Sequence, residues 1–241
     1  MNKLFICIPT YNEKENIITV LKRIETVSNK IDDFEIQIIV IDDNSPDKTA
    51  QLVKDYAKTS SLKIHLIENL RKSGLGKAYI QAFNYARHSG AYAVCEMDAD
   101  LSHNPKYLLK ISKLITKYDL VIGSRYVENG GAINWGLKRQ FISRCGNIYS
   151  RIILGINVHD LTGGYNCYRV TVFDKLDLRT VSSVGYAFQI EMKYRTIKLG
   201  FNWIETPIIF VDRVKGKSKL INSILLEAIF SPWKLRFKKF D

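Results

Sequence analysis

Residues 97–100 read Met97-Asp98-Ala99-Asp100, directly after the apolar run Tyr92-Ala93-Val94-Cys95. Two carboxylates one residue apart at the end of a buried strand are a pattern that can carry chemistry. In extended backbone, side chains two apart point the same way. Asp98 and Asp100 are therefore predicted to present their oxygens together. Paired hard oxygens suit Mg2+ or Mn2+, with phosphates and water completing the shell. The competing use of such a pair is a loop that takes Asp for turn hydrogen bonds.

Polar clusters recur after other strand-like runs: Pro9-Thr10-Tyr11-Asn12-Glu13, Asp42-Asp43-Asn44-Ser45-Pro46-Asp47 and Gly123-Ser124-Arg125-Tyr126. In a parallel α/β sheet the carboxyl ends of the strands form the ligand crevice, so these clusters are predicted to converge there. Taken singly, each also reads as turn chemistry or, for Asp42 and Asn44, a helix cap. Other nucleotide motifs fail. No G-x-G-x-x-G follows the first strand, which argues against a dinucleotide site. Gly74-Leu75-Gly76-Lys77-Ala78 lacks the leading Gly and the Ser/Thr of a P-loop, and reads as a turn before a helix.

The elements that must position these clusters alternate. Strands are expected at 4–8, 36–41, 64–67, 92–97 and 120–122, and helices at 16–27, 49–58, 77–87 and 106–118. Glu13 and Glu15 near the first helix start complement its dipole. This alternation predicts an α/β fold with a mostly parallel central sheet flanked by helices. The second half is less regular: an amphipathic, basic helix over 136–154, a Gly-containing loop over 160–166, a helix over 187–199 and a strand over 203–211. Pro232 is expected to break a helix near the C-terminus.

At 241 residues and 46% hydrophobic content the chain can bury a full core. The net charge of +12 favours an anionic partner: nucleic acid, anionic lipid or a phosphorylated substrate. Cys7, Cys95, Cys145 and Cys167 lack metal-ligand spacing. Pro9 and polar residues interrupt any signal-peptide pattern, and no apolar run reaches the roughly 18 residues that span a bilayer. A cytoplasmic, reducing location is expected.

The ordered set of motifs resembles family 2 glycosyltransferases of the GT-A (Rossmann-like) fold. Pro9-Thr10-Tyr11-Asn12-Glu13, the Asp42-Asp43 strand end, Asp98-Ala99-Asp100-Leu101-Ser102-His103-Asn104-Pro105, Gly123-Ser124-Arg125-Tyr126, Leu161-Thr162-Gly163-Gly164-Tyr165, Gly185-Tyr186-Ala187-Phe188-Gln189-Ile190-Glu191 and Val211-Asp212-Arg213 through Gly216-Lys217-Ser218-Lys219 together resemble the polyprenol (dolichol) phosphate mannosyltransferases. The resemblance spans about residues 4–220.

That resemblance implies inverting transfer of mannose from GDP-mannose to a polyprenyl monophosphate, with Mg2+ or Mn2+ as cofactor. It implies a metal on Asp98 and Asp100. Ser102 stands where archaeal relatives place a further Gln ligand. Asp98, Asp100, Arg125 and Arg213 are the implied catalytic set. Pro9, Thr10, Tyr11, Glu13, Asp42, Asp43, Asp98, Ala99, Asp100, Arg213 and Lys219 are implied on the donor side, and Arg125, Arg139 and Ser143 at the acceptor phosphate. Arg139 and Ser143, four apart in a predicted helix, share a face. Other family 2 enzymes use a carboxylate near Glu191 as base; a structural role is the expectation for Glu191 here.

The transferase domain is expected over 1–220 and a basic aromatic segment over 221–241. That segment interleaves Ile229-Phe230, Trp233 and Phe237 with Lys234, Arg236, Lys238 and Lys239, a composition that suits a membrane interface. A peripheral position on the cytoplasmic face of a membrane follows, with an integral-membrane partner subunit as an option and no nucleic acid. Two alternatives remain from the sequence: the same scaffold moving glucose or another sugar, and a non-catalytic basic module that binds anionic lipid or nucleic acid.

Overall fold

The computed structural model describes residues 1–183, 185–212 and 222–238, with the chain path alone over 222–229. The first half runs β1 (Asn2–Thr10), α1 (Ile17–Ser28), β2 (Phe34–Asp42), α2 (Thr49–Ala57), β3 (Lys63–Glu68), α3 (Leu75–His88), β4 (Ala91–Glu96), α4 (Leu108–Ile115) and β5 (Leu120–Ser124). The second runs β6 (Gly131–Ile133), α5 (Leu137–Leu154), β7 (Asn166–Arg169), α6 (Val172–Lys175), α7 (Gly185–Lys198), β8 (Trp203–Pro207), β9 (Ile209–Val211) and α8 (Asn222–Phe237).

Strand β1 shows why the sheet is buried on both faces. Leu4, Ile6 and Ile8 alternate with Phe5 and Cys7, and all five are fully buried. The first set joins an apolar layer with Ile17, Leu21 and Ile111, on the side of α1 and α4. The second joins Tyr79, Phe83, Phe188 and Leu154, on the side of α3, α5 and α7. Continuous apolar strands of this kind are what a sheet covered on both faces demands.

The sheet order is β3-β2-β1-β4-β7-β5-β8. Its strands pair in parallel except β7, which runs antiparallel between β4 and β5. Chain order reverses direction between β1 and β4, so the crevice of a doubly wound sheet lies at their carboxyl ends. The expected α/β fold is present, and the first-half strands and helices stand within a few residues of their predicted bounds.

Four differences have physical causes. The helix expected at 106–118 is a 3-10 turn over Pro105–Tyr107 leading into α4, because Asn104 caps Lys106 N–H with its own side chain and Pro105 follows at once. The strand expected at 203–211 is two strands. Pro207 has no N–H for the ladder, and at Ile208 the chain leaves β8 to pair as β9 with β6. Residues 166–169, whose first residue was read as the end of a loop, form β7. Pro232 does not break α8, which runs through it. Ser231, Pro232 and Leu235 are buried there, so packing against α5 and α7 outweighs the lost N–H bond.

Candidate active site

Strand β4 stops at Glu96, and Asp98 and Asp100 lie on the bend that follows. The two-residue alternation of a strand therefore does not set their directions. The bend is fixed instead by local bonds. His103 Nδ1 accepts from Asp98 N–H at 3.0 Å, Asp100 Oδ1 accepts from Ser102 N–H at 3.1 Å, and Leu101 turns through φ 68°. Met97 N–H donates to the Cys7 carbonyl at 3.0 Å, which ties the bend to β1 across the switch point. His103 is buried, and desolvation holds it neutral, well below the ordinary histidine range. Because its Nδ1 is an acceptor, its proton is on Nε2. That nitrogen lies 3.8 Å from Asp98 Oδ2.

Beside this bend stand the ends of β1 and β2. Thr10 hydroxyl donates to Asp42 Oδ1 at 2.9 Å, and the Ser45 hydroxyl and N–H hold the same carboxylate at 2.6 and 2.8 Å. Asn12 and Asn44 both adopt left-handed backbone, so the two loops turn sharply beside each other, joined where Asn12 N–H meets Ser45 Oγ. Lys72 Nζ sits 3.9 Å over the ring of Tyr11. Glu13 N–H donates to Thr49 Oγ1, and its carboxylate accepts from Asn16. Pro9 precedes Thr10 on β1 and is half-buried. Asp43 points to the other side. Its oxygens accept from Asn69, from Ser73 twice and from Gly74 N–H, clamping the loop ahead of α3. Burial raises its pKa, but those bonds outweigh it and hold the carboxylate below its ordinary value.

Beyond β5 lies a buried charged cluster. Arg125 forks onto Asp160 with Nε and Nη2 at 2.7 Å each, while Asp160 also takes the Arg125 N–H at 2.9 Å. Nη2 further donates to Thr162 Oγ1. Burial alone would raise the Asp160 pKa, but the guanidinium holds it at about 2. Lys193 of α7, fully buried, donates to the carbonyls of Asp160, Leu161 and Gly163 at 2.9, 3.2 and 2.7 Å. Gly164 ends this loop beside the bend: a Cβ there would lie 3.9 Å from Asp98 Oδ1 and 3.7 Å from His103 Cε1. Glu96, Asn166 and Gln189 fill the floor between the loop and β4, and burial pushes Glu96 well above the usual carboxylate range.

Helix α5 closes the site on the outer side. Arg139 pairs with Asp212 Oδ2 at 2.7 Å and stacks its guanidinium 4.2 Å from the Trp135 ring centroid. Tyr126 hydroxyl donates to Ser143 Oγ at 2.7 Å. Arg139 and Ser143 lie on the inward face of α5 with buried Asn147, Ser150 and Leu154. Residues 5–177 match the family described as Glycosyl transferase family 2. The chain belongs to glycosyl transferase family 2. It is a glycosyltransferase, and the non-catalytic basic module falls away.

Among family relatives, the polyprenol monophosphomannose synthase of Mycolicibacterium smegmatis is 39% identical over 237 residues, covering 97% of this chain and 88% of the relative. The undecaprenyl-phosphate mannosyltransferase of Micrococcus luteus is 39% identical over 230 residues, covering 94% and 91%. Among solved structures, glucosyl-3-phosphoglycerate synthase of Mycobacterium tuberculosis, in complex with Mn2+, uridine diphosphate and glucosyl-3-phosphoglycerate, superposes with a TM-score of 0.65. It is 16% identical and covers 98% of this chain and 80% of that one, a likeness of GT-A fold.

A divalent cation is implied by that fold, and the donor set fits it. Asp98 and Asp100 offer hard oxygens, and buried Ser102 Oγ has no hydrogen-bond partner among the described residues. An orphaned buried hydroxyl next to a carboxylate is what a cation would satisfy. Among the described residues no three His, Cys, Asp or Glu gather to hold an ion by themselves. The remainder of a shell would fall to the diphosphate and water.

Arg213 and Lys219, with the Gly216 to Lys219 motif, lie outside the described residues. The structure draws the other named residues toward the carboxyl ends of β1, β2, β4 and β5, with α5 beside them. It changes the view of Arg125, whose Nε and Nη2 are taken by Asp160 rather than offered to a ligand. Glu191 is buried in ion pairs with Arg195 and Lys238 and accepts from Ser183 N–H, consistent with a structural role. Sequence reasoning missed Asp160, Lys193, Trp135 and His103. The available signal for Lys193 was a cation within an apolar helix face, two residues past Glu191.

Proposed function

We propose that this glycosyltransferase moves mannose from GDP-mannose to a polyprenyl monophosphate of the dolichyl or undecaprenyl type, with inversion at the sugar carbon. The observation that carries the reading is 39% identity, over nearly the whole chain, to two proteins named for transferring mannose to such lipids.

Pro9, Thr10, Tyr11, Glu13 and Asp42 form the nucleoside wall, with Tyr11 against the base. Asp43 shapes that wall through the 69–74 loop. Asp98 and Asp100, with Ser102 beside them and Ala99 leaving the bend uncrowded, hold Mg2+ or Mn2+. That ion supplies Lewis-acid neutralisation of charge on the leaving diphosphate. Arg213 and Lys219 add positive charge to the same group. The acceptor phosphate is met by Arg139 and Ser143, with Arg125 beneath them. An acceptor phosphate oxygen attacks the sugar carbon; the bond from that carbon to the diphosphate breaks, and its electron pair leaves with GDP. The nucleophile is already anionic at neutral pH, so no residue need remove a proton. Burial of Glu191 in ion pairs agrees with that economy.

Residues 1–220 carry the transfer, and 221–241 reach toward the membrane that presents the lipid. No described helix is long and apolar enough to cross a bilayer. A peripheral place on the cytoplasmic face of that membrane is part of the same proposal. Donor screening tests the reading: purified protein, detergent-dispersed polyprenyl phosphate, Mn2+ and a panel of nucleotide sugars. Mannosyl lipid formed from GDP-mannose alone is expected. Preference for UDP-glucose, or no lipid product from any donor, would overturn it.

A further inference from the structure

The loop over 160–164 runs between the two halves of the site. At its start Asp160 takes the fork of Arg125, at the end of β5. At its finish Gly164 lies against the Asp98 bend, and the next residue, Tyr165, stacks on His103 with ring centroids 4.8 Å apart. His103 is the group that accepts from the Asp98 N–H, so the loop and the bend share a support. With Gly163 and Gly164 in it, the loop has little stiffness of its own. Its course must be fixed by the elements around it.

Two side chains from different helices fix it. Lys193 enters from α7 and is fully buried. An ammonium has three N–H donors, and these meet the loop carbonyls of Asp160, Leu161 and Gly163. Asn147 enters from α5, one turn beyond Ser143, and is also buried. Its Oδ1 accepts from Leu161 N–H at 2.7 Å and Thr162 N–H at 3.2 Å. Its Nδ2 donates to the Ser143 carbonyl at 2.8 Å and to Thr162 Oγ1 at 3.1 Å. One side chain takes the loop's carbonyls and the other its N–H groups. A buried ammonium is costly to desolvate, and an apolar side chain of similar length would fill the space at less cost to the fold. What the cation supplies, and a methionine would not, is a set course for the loop.

We infer that Lys193 and Asn147 are positioning residues that hold the 160–164 loop as a strut between the metal-side bend and the acceptor-side face of α5. They act through the loop. The strut rests on the reading that the donor diphosphate sits at the bend and the acceptor phosphate at Arg139 and Ser143. It adds what fixes the gap between them. Attack needs the phosphate oxygen about 3–3.5 Å from the sugar carbon, and a misplacement of about 1 Å costs on the order of a hundredfold in rate. A slack strut lets each substrate bind but misaligns the pair.

Kinetics and calorimetry on the full chain test this. Lys193→Met keeps the side-chain length and leaves Arg125 paired with Asp160. It should lower kcat about a hundredfold. Asn147→Ala leaves room for water to meet the freed N–H groups, so it keeps the fold if Lys193→Met does not, and should lower kcat about tenfold. In both, the acceptor KM and the Kd for GDP with Mn2+ should stay within about twofold of wild type, with GDP still binding one per chain. Unchanged kcat in both variants overturns the strut. So does a loss of GDP or acceptor affinity as large as the loss of kcat, which would make these residues part of a binding wall. A kcat that falls only in step with the number of GDP sites is lost folding, and overturns it too. Failure of the functional reading shows in the wild type alone, as no mannosyl lipid; failure of the strut shows only in the variants.

Discussion

The family resemblance implied Arg125, within Gly123-Ser124-Arg125-Tyr126, at the acceptor phosphate. The Asp160 partner of Arg125 is 35 residues away, and nothing local announces the pair. What the pair makes is a buried, charge-compensated cation beneath the proposed acceptor side. Asp160→Asn would leave that guanidinium buried without its carboxylate, a change worth about 3–5 kcal/mol. Urea unfolding should show that loss. The same carboxylate makes the protein acid-sensitive. Its folded pKa of about 2 lies below its free value of 3.8. Its stabilisation is therefore complete above pH 3.8 and lost as pH falls through about 2. The difference amounts to about 2 kcal/mol, read as a slope in unfolding free energy across that window. Asp160→Asn should flatten the slope. The metal side was more legible, since Asp98, Asp100 and Ser102 are local in sequence. The structure places them on a bend pinned by His103 and Ser102 rather than on the strand, so strand alternation does not set their directions. Asp100→Asn should keep its circular dichroism spectrum and lose turnover by about a hundredfold at saturating Mn2+. Unchanged turnover, or full wild-type activity in excess EDTA, would remove the ion from the reaction.

At the scale of elements, strands with continuous apolar runs were plain to read, because burial on both faces leaves little freedom of residue type. Strands β6, β7 and β9 were not. They are three or four residues long, too short for a period to register, and β7 exists because β4 and β5 both offer it an edge. Helix α5 was legible from its basic amphipathic pattern, and so was the shared face of Arg139 and Ser143. Their partners Asp212, Trp135 and Tyr126 were not, being brought in by loops. This geometry places Arg139 between Trp135 and Asp212, away from the ends of β1 and β2 where the donor nucleoside is proposed to sit. Arg139→Ala should raise the acceptor KM about tenfold, the weight of one charge-assisted hydrogen bond, with the donor dissociation constant unchanged. Calorimetry with the donor and acceptor-dependence of the rate separate the two. Lost donor affinity with normal acceptor kinetics would place Arg139 in the other subsite.

The whole molecule carries a net charge of +12, and the proposed function gives it two anionic substrates. One arrives from water and the other stays in a membrane, and salt acts on them differently. On the proposed reading the donor diphosphate binds in the crevice rather than at the open surface, where screening is weaker. A vesicle surface meets Lys138, Arg144, Lys234 and Lys238, which stand in solvent, and such interactions fade once the Debye length shrinks to about 3 Å at 1 M salt. Each exposed cation near an anionic surface contributes about 1 kcal/mol at low ionic strength. Several of them lost together should weaken vesicle capture far more than chemistry. Raising salt from about 0.05 to 0.5 M should therefore raise the apparent KM for acceptor in anionic vesicles by about tenfold or more. The KM for a short-chain acceptor in neutral detergent should change by about twofold or less over that range. Initial rates with radiolabelled donor, in both formats and at matched Mn2+, give the comparison. Equal salt dependence in the two formats would place the sensitive charges inside the crevice rather than on the membrane-facing surface.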